Sequence, residues 1–71
     1  MIRKPINAWF YILFADTAKC VHTNELDIQA KQAQGVRLSA TGGFGSQAEA
    51  KAWGEKYYPN IPIKEGFSLE G

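Results

Sequence analysis

The sequence predicts a small α/β or α+β domain, in which a single-layer sheet of three to four strands carries two helices packed on one face. Three observations predict this fold. A chain of 71 residues has room for one hydrophobic core. The continuous apolar run over residues 8–15 is typical of a central strand. Two later segments, 24–34 and 46–58, place helix-capping residues ahead of good helix formers. The expected order is β-β-α-β-α-β or a shorter version of it.

The chain begins, after a short lead-in, with a predicted β-hairpin. Residues 8–15, AWFYILFA, are rich in aromatic and β-branched types, so we expect this strand to be covered on both faces. The letters DTAK at 16–19 then predict a turn, and CVHT at 20–23 predicts a short partner strand.

The segment 24–34, NELDIQAKQAQ, is consistent with two secondary structures. Its apolar residues recur at helical spacing, but some of them also alternate as they would in a strand. We favour the helix, because Thr23 or Asn24 is a suitable N-cap and Gly35 is a suitable C-terminal stop.

The second half of the chain predicts a strand, a glycine turn and a capped helix. In VRLSA, residues 36–40, apolar side chains alternate with Arg37 and Ser39, as in a half-exposed strand. After the turn, the letters SQAE at 46–49 form a capping box, and the helix should end at Pro59. Gly54 is tolerable within this helix if the backbone packs closely against the sheet.

The C-terminal letters predict a last strand and a tail. In IPIKE, residues 61–65, Pro62 indicates an edge position, because proline cannot donate to a ladder. The whole chain, residues 1–71, is expected to form one domain with a lead-in at 1–7 and a loose tail at 66–71.

Composition and charge exclude several classes of protein. Eight Lys and Arg against seven Asp and Glu give a formal charge of +1, which lacks the basic footprint of a dedicated duplex-DNA binder. A single Cys20 excludes a domain stapled by internal disulfides and favours the reducing cytoplasm. The alternative is export, since Arg3 and Lys4 precede the apolar run as in a signal peptide. That run is too short to span a bilayer, which needs about 20 residues.

The glycine loop is the first candidate site. Residues 43–48, GFGSQA, match the dinucleotide-binding fingerprint between a predicted strand and a predicted helix, and Glu65 lies where an acid would bind a ribose. A phosphate there would be held by four residues, namely Gly43, Gly45, Ser46 and Gln47. The alternative, which we favour, is a turn into a capped helix with no cofactor bound.

Aromatic and basic residues form a second candidate site. The nine aromatic residues cannot all be fully buried in so small a domain. If one sheet face lacks helices, two aromatic and two basic residues would bind a protein partner or stack on single-stranded or RNA–DNA hybrid nucleic acid, namely Tyr11, Trp53, Arg37 and Lys51. The alternative is that helices cover the aromatic rings.

Cys20 and His22 form a third candidate pair. In a strand their side chains share a face, and a thiol beside an imidazole suits nucleophilic catalysis or zinc binding. No second Cys or His exists to complete a zinc site, so we favour a buried thiol beside a partly exposed imidazole.

Two pattern-level resemblances follow from the segment GFGSQAEAKAW. Four of its residues match F-x-[ST]-x-x-E-A, namely Phe44, Ser46, Glu49 and Ala50. With the preceding hairpin and helix, this spacing resembles the hybrid-binding domain of ribonuclease H, which implies the order strand, strand, helix, strand, helix. That family's glycine-basic hairpin and its Trp at the helix start are absent here. The same segment is similar to the second half of a SPOR domain, although the first half shows no matching repeat.

The function expected from these observations is a small, cytoplasmic, non-catalytic binding module. It would bind a protein partner, or a second copy of itself as a homodimer, through an exposed sheet face or edge. We expect no cofactor, no membrane association and no enzymatic activity from this chain alone. The alternatives are the nucleic-acid module and the phosphate-binding loop described above.

Overall fold

Five elements follow one another in the computed structural model, which describes residues 7–66 and 69. The hairpin and the helix after it come first, and a further strand and helix complete the order β-β-α-β-α. Their bounds are β1 Ala8–Leu13, β2 Ala18–Thr23, α1 Glu25–Ala33, β3 Ser39–Phe44 and α2 Gln47–Tyr57. The predicted small sheet with two helices is confirmed.

The sheet has the order β2-β1-β3, and both pairings are antiparallel. The apolar run of β1 occupies the centre, because a strand covered on both faces is the one that gains most from apolar side chains on both of its sides. Two hydrophobic clusters result, one on each face of this strand.

The prediction that both helices pack on one face is wrong. Ile28 of α1 belongs to the cluster that contains Phe10 and Ile12, which we call the α1-side cluster. Ala50 of α2 belongs to the other cluster, which contains Tyr11. Because successive side chains of β1 point to opposite faces, the two helices lie on opposite sides of the sheet. This agrees with the expectation that β1 is covered on both faces.

The ambiguous segment is a helix, as favoured. Asn24 is its N-cap, and its side-chain oxygen accepts from the amide of Asp27 at 2.9 Å. The helix stops before Gly35, whose φ of 96° lies in the left-handed region that glycine adopts freely. Ile28 is the buried residue of α1, whereas Leu26 is exposed. The capping residues therefore predicted the correct secondary structure for this segment.

The third strand lies later in the chain than predicted. VRLSA was expected to form it at 36–40, but β3 runs from Ser39 to Phe44 and includes two glycines of the predicted turn, Gly42 and Gly43. The three residues that were predicted to point inward do pack against the α1-side cluster. They are Val36, Leu38 and Ala40. The alternation was therefore correct, although the strand bounds were not.

The second helix begins and ends close to the predicted positions. Ser46 is the N-cap of α2, and the helix ends at Tyr57 before Pro59. Gly54 is buried, and a Cβ at this position would overlap the Tyr11 ring. The close packing expected at this glycine is confirmed.

The last segment adds a single bridge rather than a strand. Ile63 pairs in parallel with Ala18 at the outer edge of β2, which is the edge position that Pro62 indicated. Beyond it, Leu69 is buried in the α1-side cluster. The rest of the predicted lead-in and tail, residues 1–6, 67, 68, 70 and 71, lies outside the described residues.

Candidate functional site at the open edge of the sheet

The strand β3 forms one edge of the sheet, and its outer side pairs with none of the residues 7–66 and 69. The direction of its backbone groups follows from the β1–β2 hairpin, where the Phe14 amide donates to the Thr17 carbonyl at 2.8 Å. In an antiparallel ladder, such bonded pairs alternate with pairs whose backbone groups point away from each other. Leu13 and Tyr11 therefore direct their backbone groups towards β3.

The backbone groups of Ala40 and Gly42 consequently face away from the sheet. Tyr11 stands opposite Thr41, and Leu13 stands opposite Ser39, so the N–H and C=O groups of Thr41 and Ser39 point towards β1. Ala40 and Gly42 alternate with these residues and present their N–H and C=O groups at the open edge. This is the arrangement that accepts an additional strand.

The opposite edge of the sheet independently supports this alternation. On β2, the Ala18 amide donates to the Pro62 carbonyl at 3.0 Å, and the Ala18 carbonyl accepts from the Lys64 amide at 2.7 Å. Ala18 stands opposite Leu13, and its backbone groups point outward, as the ladder requires when those of Leu13 point towards β3.

A β-bulge limits the length of the open segment. The β1–β3 register shifts between Trp9 and Phe10, which leaves Gly43 as an extra residue of β3. Its φ is 93°, a left-handed value that favours glycine. Gly42 is needed for a different reason, because a Cβ there would overlap the Phe10 ring. Both glycines are therefore required by the geometry of the edge strand β3.

The predicted phosphate-binding loop already holds a carboxylate of the chain itself. The Gly45 amide donates to Glu49 Oε2 at 2.9 Å, and Ser46 Oγ accepts from the Glu49 amide at 3.2 Å. A phosphate oxygen at a helix N-terminus would use amides of this kind. Gly43 lies in the bulge, and Gln47 lines a cleft instead. Two of the amides around the start of α2 therefore already have side-chain partners within the chain.

The predicted aromatic and basic residues do not converge on one exposed face. Tyr11 is 1% exposed beneath α2, and the half-buried Trp53 packs against it with ring centroids 5.3 Å apart. Lys51 is exposed and lines a cleft of about 330 Å³ together with Cys20. Arg37 is exposed in the segment that precedes β3 and lines a different depression. The Tyr11 ring is therefore a core side chain and is not available for stacking on a base.

The Tyr11 hydroxyl is buried without a hydrogen-bond partner among the described residues. Its ring stacks on Tyr58, with centroids 5.8 Å apart and an interplanar angle of 5°. Burial raises the pKa of the phenol, and the neighbouring Cys20 and Tyr58 raise it further. The hydroxyl is therefore neutral at neutral pH, and the ring contributes mainly by packing.

Cys20 and His22 share a face of β2 but differ in exposure. The Cys20 thiol is free and buried, whereas His22 is exposed, with its ring centroid 5.3 Å from that of Trp9. Burial raises the pKa of the Cys20 thiol; the Lys51 ammonium lowers it and the Glu55 carboxylate raises it. The thiol is thus protonated at neutral pH and is a weak nucleophile. Within residues 7–66 and 69, no group of three or more His, Cys, Asp or Glu side chains is placed to hold a metal ion.

No known protein family, curated protein or solved structure matches this chain. The element order agrees with the order that the resemblance to the ribonuclease H hybrid-binding domain implies. In the described part of the chain, no helix has the length and apolar character needed to cross a membrane.

Sequence reasoning did not identify Ala40 and Gly42 as candidate site residues. Their role depends on which strand pairs with which, and this order cannot be read from the spacing of apolar residues. One signal was present, since the letters SATGGF contain neither a charge nor a proline. Natural edge strands commonly carry such residues to prevent further pairing.

Proposed function

We propose that this chain is a small, non-catalytic interaction module that binds an extended segment of a protein partner along the open edge of β3. The observation that carries the proposal is the outward direction of the N–H and C=O groups of Ala40 and Gly42. Strand addition uses such groups for affinity and the flanking side chains for specificity.

The edge supports this function better than a face of the sheet does. α1 packs on one face of the sheet through Ile28 and α2 packs on the other, so neither face is without a helix. The side chains of Ser39 and Thr41 are small and exposed, and they leave room for an incoming strand. The bulge at Gly43 restricts pairing to a short segment, which limits how long the partner strand needs to be.

The proposal includes no catalytic step. The nucleophile suggested by the sequence, Cys20, is buried and protonated at neutral pH. A free, buried thiol is also what we expect of a protein that acts in the reducing cytoplasm. We propose that the module acts there.

Nucleic-acid binding is the weaker alternative. It requires Tyr11, Arg37, Lys51 and Trp53 on one exposed face, but Tyr11 is a core residue, and the two basic residues line different depressions. Binding of an oligonucleotide that weakens steeply with salt and shifts the amide resonances of Arg37 and Lys51 would favour this alternative over the edge.

The edge can be tested by selecting peptides from a random display library against the immobilised protein. The matched variant is Ala40→Pro, because this amide faces outward and its loss removes no hydrogen bond to β1. We expect the selected peptides to bind the wild type and to lose binding to Ala40→Pro while circular dichroism and the urea midpoint stay unchanged. Peptides that bind both proteins equally well would contradict the proposal.

A further inference from the structure

We propose that the partner of this edge is a second copy of the chain, paired antiparallel through β3 with Thr41 on the twofold axis. This inference rests on the proposed function, because it needs the same outward groups of Ala40 and Gly42. It specifies the register of the two strands, predicts two ion pairs across the dimer and identifies the partner.

The register follows from which backbone groups are free. With Thr41 opposite Thr41 of the second copy, Ala40 of each copy stands opposite Gly42 of the other. Each such pair exchanges two hydrogen bonds, so the contact makes about four main-chain bonds. Centring the contact on Ala40 would instead place Gly42 opposite Leu38, whose carbonyl already accepts from Gln32 Nε2 at 3.0 Å. The Thr41-centred register is therefore the one that pairs the N–H and C=O groups of both Ala40 and Gly42.

A register centred on Gly42 is disfavoured for a similar reason. It would place Ala40 opposite Phe44, which lies beyond the bulge and pairs with Trp9 of β1. Its backbone groups are therefore directed into the sheet rather than towards a second copy.

The charges beside the strand are complementary in this register. Arg37 lies four positions before Thr41, and Gly45 lies four positions after it, so the two stand near each other across the twofold axis. The Glu49 carboxylate is anchored on the Gly45 amide at 2.9 Å. Each copy thus presents a cation at one end of the contact and an anion at the other, which makes the edge self-complementary.

The two charges also lie on the same side of the sheet. Val36, Leu38 and Ala40 pack against the α1-side cluster, and Arg37 between them is exposed. Continuing the alternation of β3 back to this residue, we infer that its side chain lies on the α2 side. Glu49 belongs to the first turn of α2. A twofold axis perpendicular to the sheet keeps the α2 sides of both copies together, and Arg37 of one copy therefore meets Glu49 of the other. The strand itself carries no charge that would repel a second copy.

The test is oxidative cross-linking of the full chain with Thr41→Cys, and the matched control is Ser39→Cys. Both positions are exposed on the same strand. Paired Thr41 residues would have Cα atoms about 4.5 Å apart, which suits a disulfide, whereas the two Ser39 residues would be roughly 14 Å apart. We expect Thr41→Cys to form a covalent dimer, and Ser39→Cys and the wild type with its buried Cys20 to remain uncross-linked. Faster cross-linking of Ser39→Cys would overturn the register.

A second measurement, sedimentation equilibrium, tests the partner itself. We expect a monomer–dimer equilibrium in the wild type, a dissociation constant raised roughly tenfold in Arg37→Glu because two attractions become repulsions, and loss of the dimer in Ala40→Pro. A wild type that stays monomeric at millimolar concentration would overturn the second copy as the partner. If that monomer still binds selected peptides in an Ala40-dependent manner, the proposed function stands; if it binds none, both proposals fail.

Discussion

The two edges of this sheet are treated in opposite ways by the rest of the chain. At the outer edge of β2, the segment after α2 returns and forms two hydrogen bonds with Ala18, one from Lys64 and one to Pro62. At the outer edge of β3, none of the described residues does the same for Ala40 and Gly42. The second edge also lacks the charge or proline that would discourage pairing.

This difference shows how a three-stranded sheet can carry both a structural edge and a binding edge. At the covered edge, Ala18 is fully buried, so the N–H and C=O groups of this residue need partners within the chain. The open edge is more exposed, and water can satisfy its backbone groups until a strand replaces it.

The largest expected effect is the difference in stability between a proline at an inward-facing amide of β3 and a proline at an outward-facing one. Thr41→Pro removes a donor that faces β1, and we expect it to lower the free energy of unfolding by about 2–3 kcal/mol. Ala40→Pro removes an outward donor and should change the free energy by less than about 0.5 kcal/mol. Urea denaturation of both variants measures the difference. Equal destabilisation by the two prolines would show that the assigned alternation is wrong.

The next effect concerns the covered edge. Lys64→Pro leaves the buried Ala18 carbonyl without its donor, and we expect a loss of about 1–3 kcal/mol of stability. Lys64→Ala keeps the amide and serves as the control. If the closing segment blocks pairing, Lys64→Pro should also form species larger than a dimer in sedimentation velocity. Loss of stability in both variants to the same extent would implicate the lysine side chain instead.

A smaller effect depends on pH and involves the core rather than the edges. The folded protein raises the pKa of both the Cys20 thiol and the Tyr11 phenol, so the folded state retains these protons more strongly than the unfolded state. Their contribution is fully present below the ordinary thiol pKa of 9.0 and is lost as the pH rises through the folded values. Urea midpoints should therefore fall above about pH 9, and less so in Cys20→Ala. An identical alkaline decline in this variant would assign it to other groups.

The smallest effect is expected from Tyr11→Phe. The hydroxyl has no hydrogen-bond partner among the described residues, so its removal should be neutral or stabilise the fold by up to about 1 kcal/mol. Peptide binding and dimerisation should stay unchanged, because the residue lies in the core. Loss of stability in this variant would reveal a partner for the hydroxyl.

Local chemistry made much of this fold predictable from the sequence. The apolar run of β1, the Asn24 cap and the SQAE capping box each specify their element through neighbouring residues alone. Gly54 was also interpretable, because a glycine inside a capped helix has few explanations other than close packing.

Features that depend on non-local pairing were not predictable. Gly42 and Gly43 were assigned to a turn because glycine is rare within strands. Gly42 is required because the Phe10 ring leaves no room for a Cβ, and Gly43 is the extra residue of a β-bulge. The spacing of residues does not encode the handedness of the connections between strands and helices. It therefore does not predict on which side of the sheet each helix packs, or that Tyr11 is buried.

Amide hydrogen exchange of the wild type is the most direct test of whether the outer edge of β3 is open. In dilute protein, we expect fast exchange at Ala40 and Gly42 and slow exchange at Thr41. The amides of Ala40 and Gly42 should become protected as the concentration rises or a selected peptide is added. Protection of Ala40 and Gly42 in dilute monomer would contradict it, because these amides would then already have partners within the chain.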